Sequence, residues 1–166
     1  SYYVYDISGL YRLPWLKTYT LKKNLHIINV NAGFDETSSL LAEKFKDCNL
    51  KVLDFYDPEK HTEVSIKRAR KAYPPYPETI SIKTDKIEIQ DASIDLVCAI
   101  LSAHEIRDPE ERAQFFKELK RILKPDGQIF VTEHLRDFPN FLAYTIGFFH
   151  FHSKNTWLQT FKTAKL

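Results

Sequence analysis

The chain has 166 residues, 43% of them hydrophobic and 28% charged, with a formal net charge of +2. That is enough apolar material for one domain with a real core, and it excludes a disordered chain. A charge so near zero gives no field that would draw nucleic acid or an anionic membrane. No apolar run reaches the roughly 20 residues of a membrane span, and no signal peptide is visible. Cys48 and Cys98 are far apart and form no CxxC pair, so they read as reduced, buried thiols of a cytoplasmic protein.

Residues 1–24 form an aromatic cap with breaks at Gly9 and Pro14. Its periodicity is poor, and it reads as one or two short helices that are more often plain core than a lid. The first strand is Leu25 to Val30, largely apolar as expected for a strand covered on both faces. A small-residue turn follows, Asn31-Ala32-Gly33-Phe34-Asp35-Glu36, and then a helix from Thr37 to Lys46, with Thr37 or Asp35 as its cap. A strand that breaks at such a turn and restarts as a helix begins the ligand site of a doubly wound sheet.

Lys51 to Phe55 is the second strand, closed by Asp54 and Asp57. Glu59 to Ala72 reads as a polar helix whose Lys67, Arg68, Arg70 and Lys71 make a solvated face, with Glu63 four residues before Lys67. Tyr73-Pro74-Pro75-Tyr76-Pro77 is an extended loop. Ile80 to Lys83 is a short third strand and Ile94 to Leu101 an apolar fourth. Pro109 to Leu123 is the clearest helix, with Phe115, Phe116, Leu119, Ile122 and Leu123 as its buried stripe. Lys124-Pro125-Asp126-Gly127 is expected to end it, and Gln128 to Thr132 is the fifth strand.

Alternating strands and helices predict an α/β fold, a doubly wound, Rossmann-like parallel sheet with helices on both faces. Residues 1–166 are expected to form one domain: the cap, a core sheet over residues 25–133, and an aromatic lid with a polar C-terminal helix over residues 134–166. The chain starts at Ser1, holds no methionine, and stops after five strands, where a sixth is expected. It reads as a piece of a longer protein.

Three stretches carry a resemblance. Asp91-Ala92-Ser93-Ile94-Asp95-Leu96-Val97, then Ala103-His104-Glu105-Ile106-Arg107-Asp108, then Leu119-Lys120-Arg121-Ile122-Leu123-Lys124-Pro125-Asp126-Gly127 come in the order and spacing of class I S-adenosylmethionine-dependent methyltransferases. The nearest likeness is to the branch holding the ubiquinone and menaquinone C-methyltransferases, over about Leu25 to Leu166. The resemblance implies S-adenosylmethionine as cofactor, S-adenosylhomocysteine as product, and a small, apolar acceptor. It also implies roles. Asp54 would bind the ribose hydroxyls, Asp85 the adenine amino group, and Phe55 would flank the adenine ring or belong to the core. Asn29, Asn31, Gly33 and Ser102 complete the donor set.

The turn departs from the family pattern, in which an acid precedes G-x-G-x-G. Asn29 takes the place of the acid, Asn31 the first glycine and Asp35 the third; only Gly33 remains. Asn31 could keep the turn through left-handed backbone angles. Asp35 could cap the helix, repel the donor's carboxylate, or attract its sulfonium and amine.

Methyl transfer depends mostly on alignment, aided by a general base where the acceptor is a hydroxyl or acidic carbon. His104 with Glu105 is the first candidate pair and Glu133 with His134 the second. His150 and His152 could join His134 around a metal, but an H-x-H pair without cysteines or a spaced acid is a weak signal, and none is expected. The aromatic run from Phe138 to Phe151 reads as a lid over the acceptor, as packing, or as a peripheral membrane contact. The alternative function is a methyltransferase-like domain that has lost catalysis and acts in binding or scaffolding.

Overall fold

In a computed structural model, residues 12–16, 22–62 and 64–166 are described. The expected helices of the first eleven residues, residues 17–21 of the cap, and Glu63 with its expected pairing to Lys67 lie outside them. Five parallel strands form one sheet in the order β3-β2-β1-β4-β5. They are β1 (Leu25–Asn31), β2 (Cys48–Asp54), β3 (Ile80–Ser81), β4 (Ile94–Ile100) and β5 (Leu123–Thr132). The helices are α1 (Ser38–Lys44), α2 (Val64–Ala72), α3 (Pro109–Ile122), α4 (Phe138–Tyr144) and α5 (Lys154–Ala164). The doubly wound parallel sheet is therefore as expected.

Side chains alternate across the central strands and divide the core in two. Ile27, Leu96, Cys98 and Ile100 face α1, packing with Leu41 and Phe45. Ile28, Val30, Val97 and Ala99 pack instead among Phe115, Phe116, Leu119 and Trp157 of α3 and α5. Leu13 and Leu16, at a 3-10 turn over Pro14–Leu16, join the α1 side of the core, while Arg12, Pro14 and residues 22–24 are exposed. The segment expected to be a merely polar C-terminal helix, α5, buries Trp157, Thr160 and Ala164. Both cysteines are free thiols, and burial pushes the Cys98 thiol up to about 12.

The motif residues tie this frame together. Arg121 pairs with Asp91 and Glu118 and donates to the carbonyls of Ile87 and Ile89. Lys124 reaches Asp95 at 2.8 Å, and Asp95 also accepts from the His26 N–H at 2.9 Å. These contacts fasten the end of α3 to the start of β4. They lie away from the turn after β1.

Several boundaries differ from the sequence reading. The chain is extended directly from Leu123, so Lys124-Pro125-Asp126-Gly127 lies inside β5 and appears as an irregularity in its register with β4 between Ile94 and Leu96. Pro125 has no N–H for the ladder, and a Cβ on Gly127 would sit 2.9 Å from the Ile94 carbonyl oxygen. The third strand is only Ile80–Ser81, at the sheet edge. The second helix begins at Val64 rather than Glu59. No helix among the described residues is long and apolar enough to cross a membrane.

Phe116 is fully buried, with its ring against Phe115, Trp157 and Phe161. Phe116→Ala is expected to cost about 3–5 kcal/mol, measured by urea unfolding. A loss below 1 kcal/mol would contradict the packing of α3 on α5.

Candidate active site

The carboxyl ends of β1, β2 and β4 converge on the turn after β1. Asn31 pairs in register with Asp54 across β1 and β2, so the two are neighbours at the mouth of the sheet. Asn31 does not use left-handed angles, as the sequence reading allowed. It lies in β1, and its Oδ1 accepts the Gly33 N–H at 3.1 Å. Gly33 itself takes φ +92°, a backbone open mainly to glycine. Asp35 caps α1: Oδ1 accepts from the N–H groups of Thr37 at 3.0 Å and Ser38 at 2.9 Å. Thr37 makes no side-chain cap.

Asn29 lies beneath this cap on the α1 side of the sheet. Its Nδ2 donates to the hydroxyls of Thr37 at 2.9 Å and Ser38 at 2.8 Å. An aspartate there could accept but not donate, so asparagine lets the strand end beside the carboxylate of Asp35 without a second charge. Two acceptors, Asn29 Oδ1 and Asp35 Oδ2, are buried with no donor.

Asp54 is buried, and its carboxylate is engaged. Oδ1 accepts the Tyr56 N–H at 2.9 Å, and Oδ2 is 2.7 Å from Arg70 Nη1. The same Nη1 donates to the Gly33 carbonyl at 3.1 Å, and the guanidinium lies 4.2 Å from the Tyr56 ring centroid. Arg70 therefore does not belong to the solvated face expected of its helix. Its position four residues after the half-buried Ile66 is the available sequence signal. Tyr56 and Arg70 cover the glycine, where an added Cβ would meet the Tyr56 ring at 2.7 Å.

The remaining donor-side expectations scatter. Phe55 is buried against Phe115 as part of the core. Asp85 is exposed and lines a cavity of about 880 Å³ with Tyr56, Asp57, Lys60 and Glu111. Ser102 is buried, and its hydroxyl donates to the Val30 carbonyl at 2.9 Å, joining the ends of β1 and β4.

On the other side of β4 the first expected pair, His104 and Glu105, gathers Glu133 from the second, while His134 lies apart. His104 sits in a 3-10 turn (Ala103–Glu105) after β4, and Glu133 follows β5. His104 Nδ1 is 2.6 Å from Glu133 Oε2, and the His104 N–H donates to Glu133 Oε1 at 3.2 Å. Its Nε2 is 3.3 Å from Glu105 Oε1, and His150 Nε2 reaches the same oxygen at 3.1 Å. Burial alone would lower the pKa of His104, but the Glu133 charge and the hydrogen bonds to both carboxylates outweigh it and raise it to about 10. The imidazolium is thus the stable form at neutral pH, a donor rather than a base. Burial opposes the charge on Glu105, yet hydrogen bonds from His104 and His150 hold its pKa well below the usual range.

The other histidines part company. His134 stacks with Tyr144 and Phe151. His152 lies on Trp157 beside Arg112, and burial and that cation lower its pKa to about 4. His150 joins His104 and Glu105 instead of these two. It is the residue the sequence reading misplaced, because its position is set by a hairpin return that local spacing does not reveal.

A family model described as a methyltransferase domain matches residues 29–131, from Asn29 to the last turn of the sheet. The chain belongs to this family. The methyltransferase fold is shared with a S-adenosylmethionine-dependent methyltransferase from Methanosarcina mazei, at 15% identity and a TM-score of 0.66, covering 92% of this chain and 84% of that one. A S-adenosylmethionine-dependent methyltransferase from Aquifex aeolicus is similar at 17% identity and 0.61, covering 97% and 84%. The cyclase SpnF is similar at 18% and 0.58, covering 93% and 56%. A search of curated proteins finds no significant match.

The methyltransferase cofactor is S-adenosylmethionine, and the turn fits it at three points. Gly33 adds no side chain at the mouth of the sheet and Asp54 stands beside it, and Tyr56 and Arg70, which cover both, would have to move aside for the ligand. The buried, unsatisfied oxygens of Asn29 and Asp35 match a ligand that brings an ammonium group.

Gly33→Ala would place a Cβ in the Tyr56 ring at a backbone angle that disfavours alanine. The expected cost is about 1–3 kcal/mol, read by chemical denaturation. An unchanged midpoint would contradict the packing of Tyr56 and Arg70 over the turn.

Proposed function

We propose that this methyltransferase acts on a small, apolar acceptor, as the quinone C-methyltransferase branch its motifs resemble would do. The observation that carries the reading is that a left-handed Gly33 follows the end of β1 where Asn31 pairs with Asp54 of β2, the arrangement that recognises a ribose-bearing ligand in doubly wound sheets. When bound, S-adenosylmethionine supplies both an activated methyl group and its own leaving group.

The residues of this chain bind and align. Asp54 accepts from ribose hydroxyls, which requires it to share or exchange its hydrogen bond with Arg70. Gly33, Asn31 and Asn29 form the wall against the amino-acid end of the donor, and Ser102 keeps that wall fixed to β4. Asp85, on the cavity beside Asp57, would meet the adenine end, while Phe55 serves the core beneath it. His104 and Glu105 face the acceptor as a charged, hydrogen-bonded pair held from behind by Glu133. With His104 already protonated, it positions an acceptor before it can take a proton from one.

The lobe from α4 to Phe151 supports the apolar reading of the acceptor. Phe138, Leu142 and Ile146 are 71%, 66% and 82% exposed, an apolar surface beyond that of scattered residues. In this reading the lobe closes over a lipophilic acceptor and touches the membrane surface that supplies it. The family match gives no support to the alternative of a domain without catalysis.

Calorimetry with S-adenosylmethionine and S-adenosylhomocysteine is expected to show one site, with Asp54→Asn weakening both by about tenfold or more, the loss of a charged hydrogen-bond acceptor. No heat with millimolar ligand and folded protein would sink the reading. In flotation, liposomes are expected to carry the wild-type protein and not a Phe138→Ser, Ile146→Ser variant. Equal absence from the floated fraction would remove the membrane contact.

A further inference from the structure

We propose that His104, Glu105 and His150 bind a divalent first-row transition-metal ion, with zinc(II) as the reference probe. Among the described residues these three form the one group whose histidine nitrogens and carboxylate oxygen all lie within 4.8 Å of one another. His104 Nε2 and His150 Nε2 converge on a single oxygen, Glu105 Oε1, at 3.3 and 3.1 Å. An ion held at about 2.0–2.1 Å by such ligands sets edges of roughly 2.9–3.4 Å between them in octahedral or tetrahedral geometry. Two of the three edges already have that length. The imidazole planes stand at 86° to each other, and the ion would take the place of the proton on His104 Nε2, since a histidine ligand binds in its neutral form.

The surroundings are those of a ligand set. A metal-bound histidine is usually oriented by a carboxylate on its other nitrogen. Glu133 does this for His104, taking Nδ1 at 2.6 Å and the backbone N–H of the same residue at 3.2 Å. Arg107 Nη1 donates to the carbonyls of both His104 and His150, at 3.2 and 2.5 Å, and so fixes the two histidine backbones relative to one another. Two histidines and one carboxylate leave coordination positions for other ligands, unlike closed structural sites.

The position gives such an ion a use. Glu105 also lines a cavity of about 130 Å³ with Asn31, Ala32 and Thr37 at the turn after β1. Resting on the methyl-transfer reading, the ion would hold an acceptor oxygen beside the donor and stabilise its anionic form as a Lewis acid.

The test uses the tag-free full chain after chelator treatment, titrated with zinc(II), and with cobalt(II) followed by visible absorption. One equivalent is expected to bind. Glu105→Gln and His150→Ala should each weaken binding at least 100-fold, and Glu133→Gln by about 10–100-fold. His26→Gln, remote at the start of β1, should leave it unchanged. Circular dichroism checks that each variant is folded. X-ray absorption of the zinc-loaded wild type, independent of any variant, should show two imidazoles and oxygen ligands. Failure of folded wild type to bind zinc(II), cobalt(II), manganese(II) or iron(II), or binding that survives both Glu105→Gln and His150→Ala, would overturn the site and leave a metal-free ion pair. Donor calorimetry in chelator separates this from the methyl-transfer reading: loss of metal binding with donor binding intact overturns the metal site alone.

Discussion

The structure depends on how the chain turns from β1 into α1. That turn must place helix N–H groups near a ligand crevice while satisfying those not offered to the ligand. Gly33 supplies the backbone angle, Asp35 caps two N–H groups, and Asn29 fastens the hydroxyls of Thr37 and Ser38 from below. Each substituted residue thus takes over part of a job that glycines and an acid do in the family pattern. Asn31 in particular replaces a flexible backbone with a side-chain hydrogen bond.

From that turn the site divides by charge. On the donor side, Asp54 is matched by Arg70, and the guanidinium lies on Tyr56 over the glycine. On the acceptor side, two glutamates bracket His104 and one of them also receives His150. On both sides the principal charges are paired, Asp54 with Arg70 and His104 with two glutamates, as the cost of burying a lone charge favours. Binding of donor or acceptor therefore works by exchanging partners within networks already formed.

The sheet was legible in the sequence because strands buried on both faces read as short apolar runs, and the long stripe of α3 has a clear helical period. The motif residues Asp91, Asp95, Arg121 and Lys124 identified the family through contacts that hold α3 to β4, which explains how they could mark the fold and say nothing of chemistry. Asp54 and Gly33 were legible as neighbours because topology brings the ends of β1 and β2 together. Arg70 was not, since its role depends on which way one side chain on a polar helix turns. His150 was not, since the path of α4 and the turn after it decides its place. The merging of His104 with Glu133 required knowing that β5 lies beside β4.

Among the described residues, the lobe from α4 to Phe151 is tied to the body of the protein near its C-terminal end. Arg136 donates to the carbonyls of Phe149 and Phe151, Leu135 bridges to His152, and Arg107 holds the His150 carbonyl. The lobe thus delivers His150 to the buried cluster from the same few residues on which it pivots. The exposed apolar face and the buried charged cluster are carried on one short stretch of chain, so a contact made outside that shifted this stretch would be linked to the His150–Glu105 contact inside.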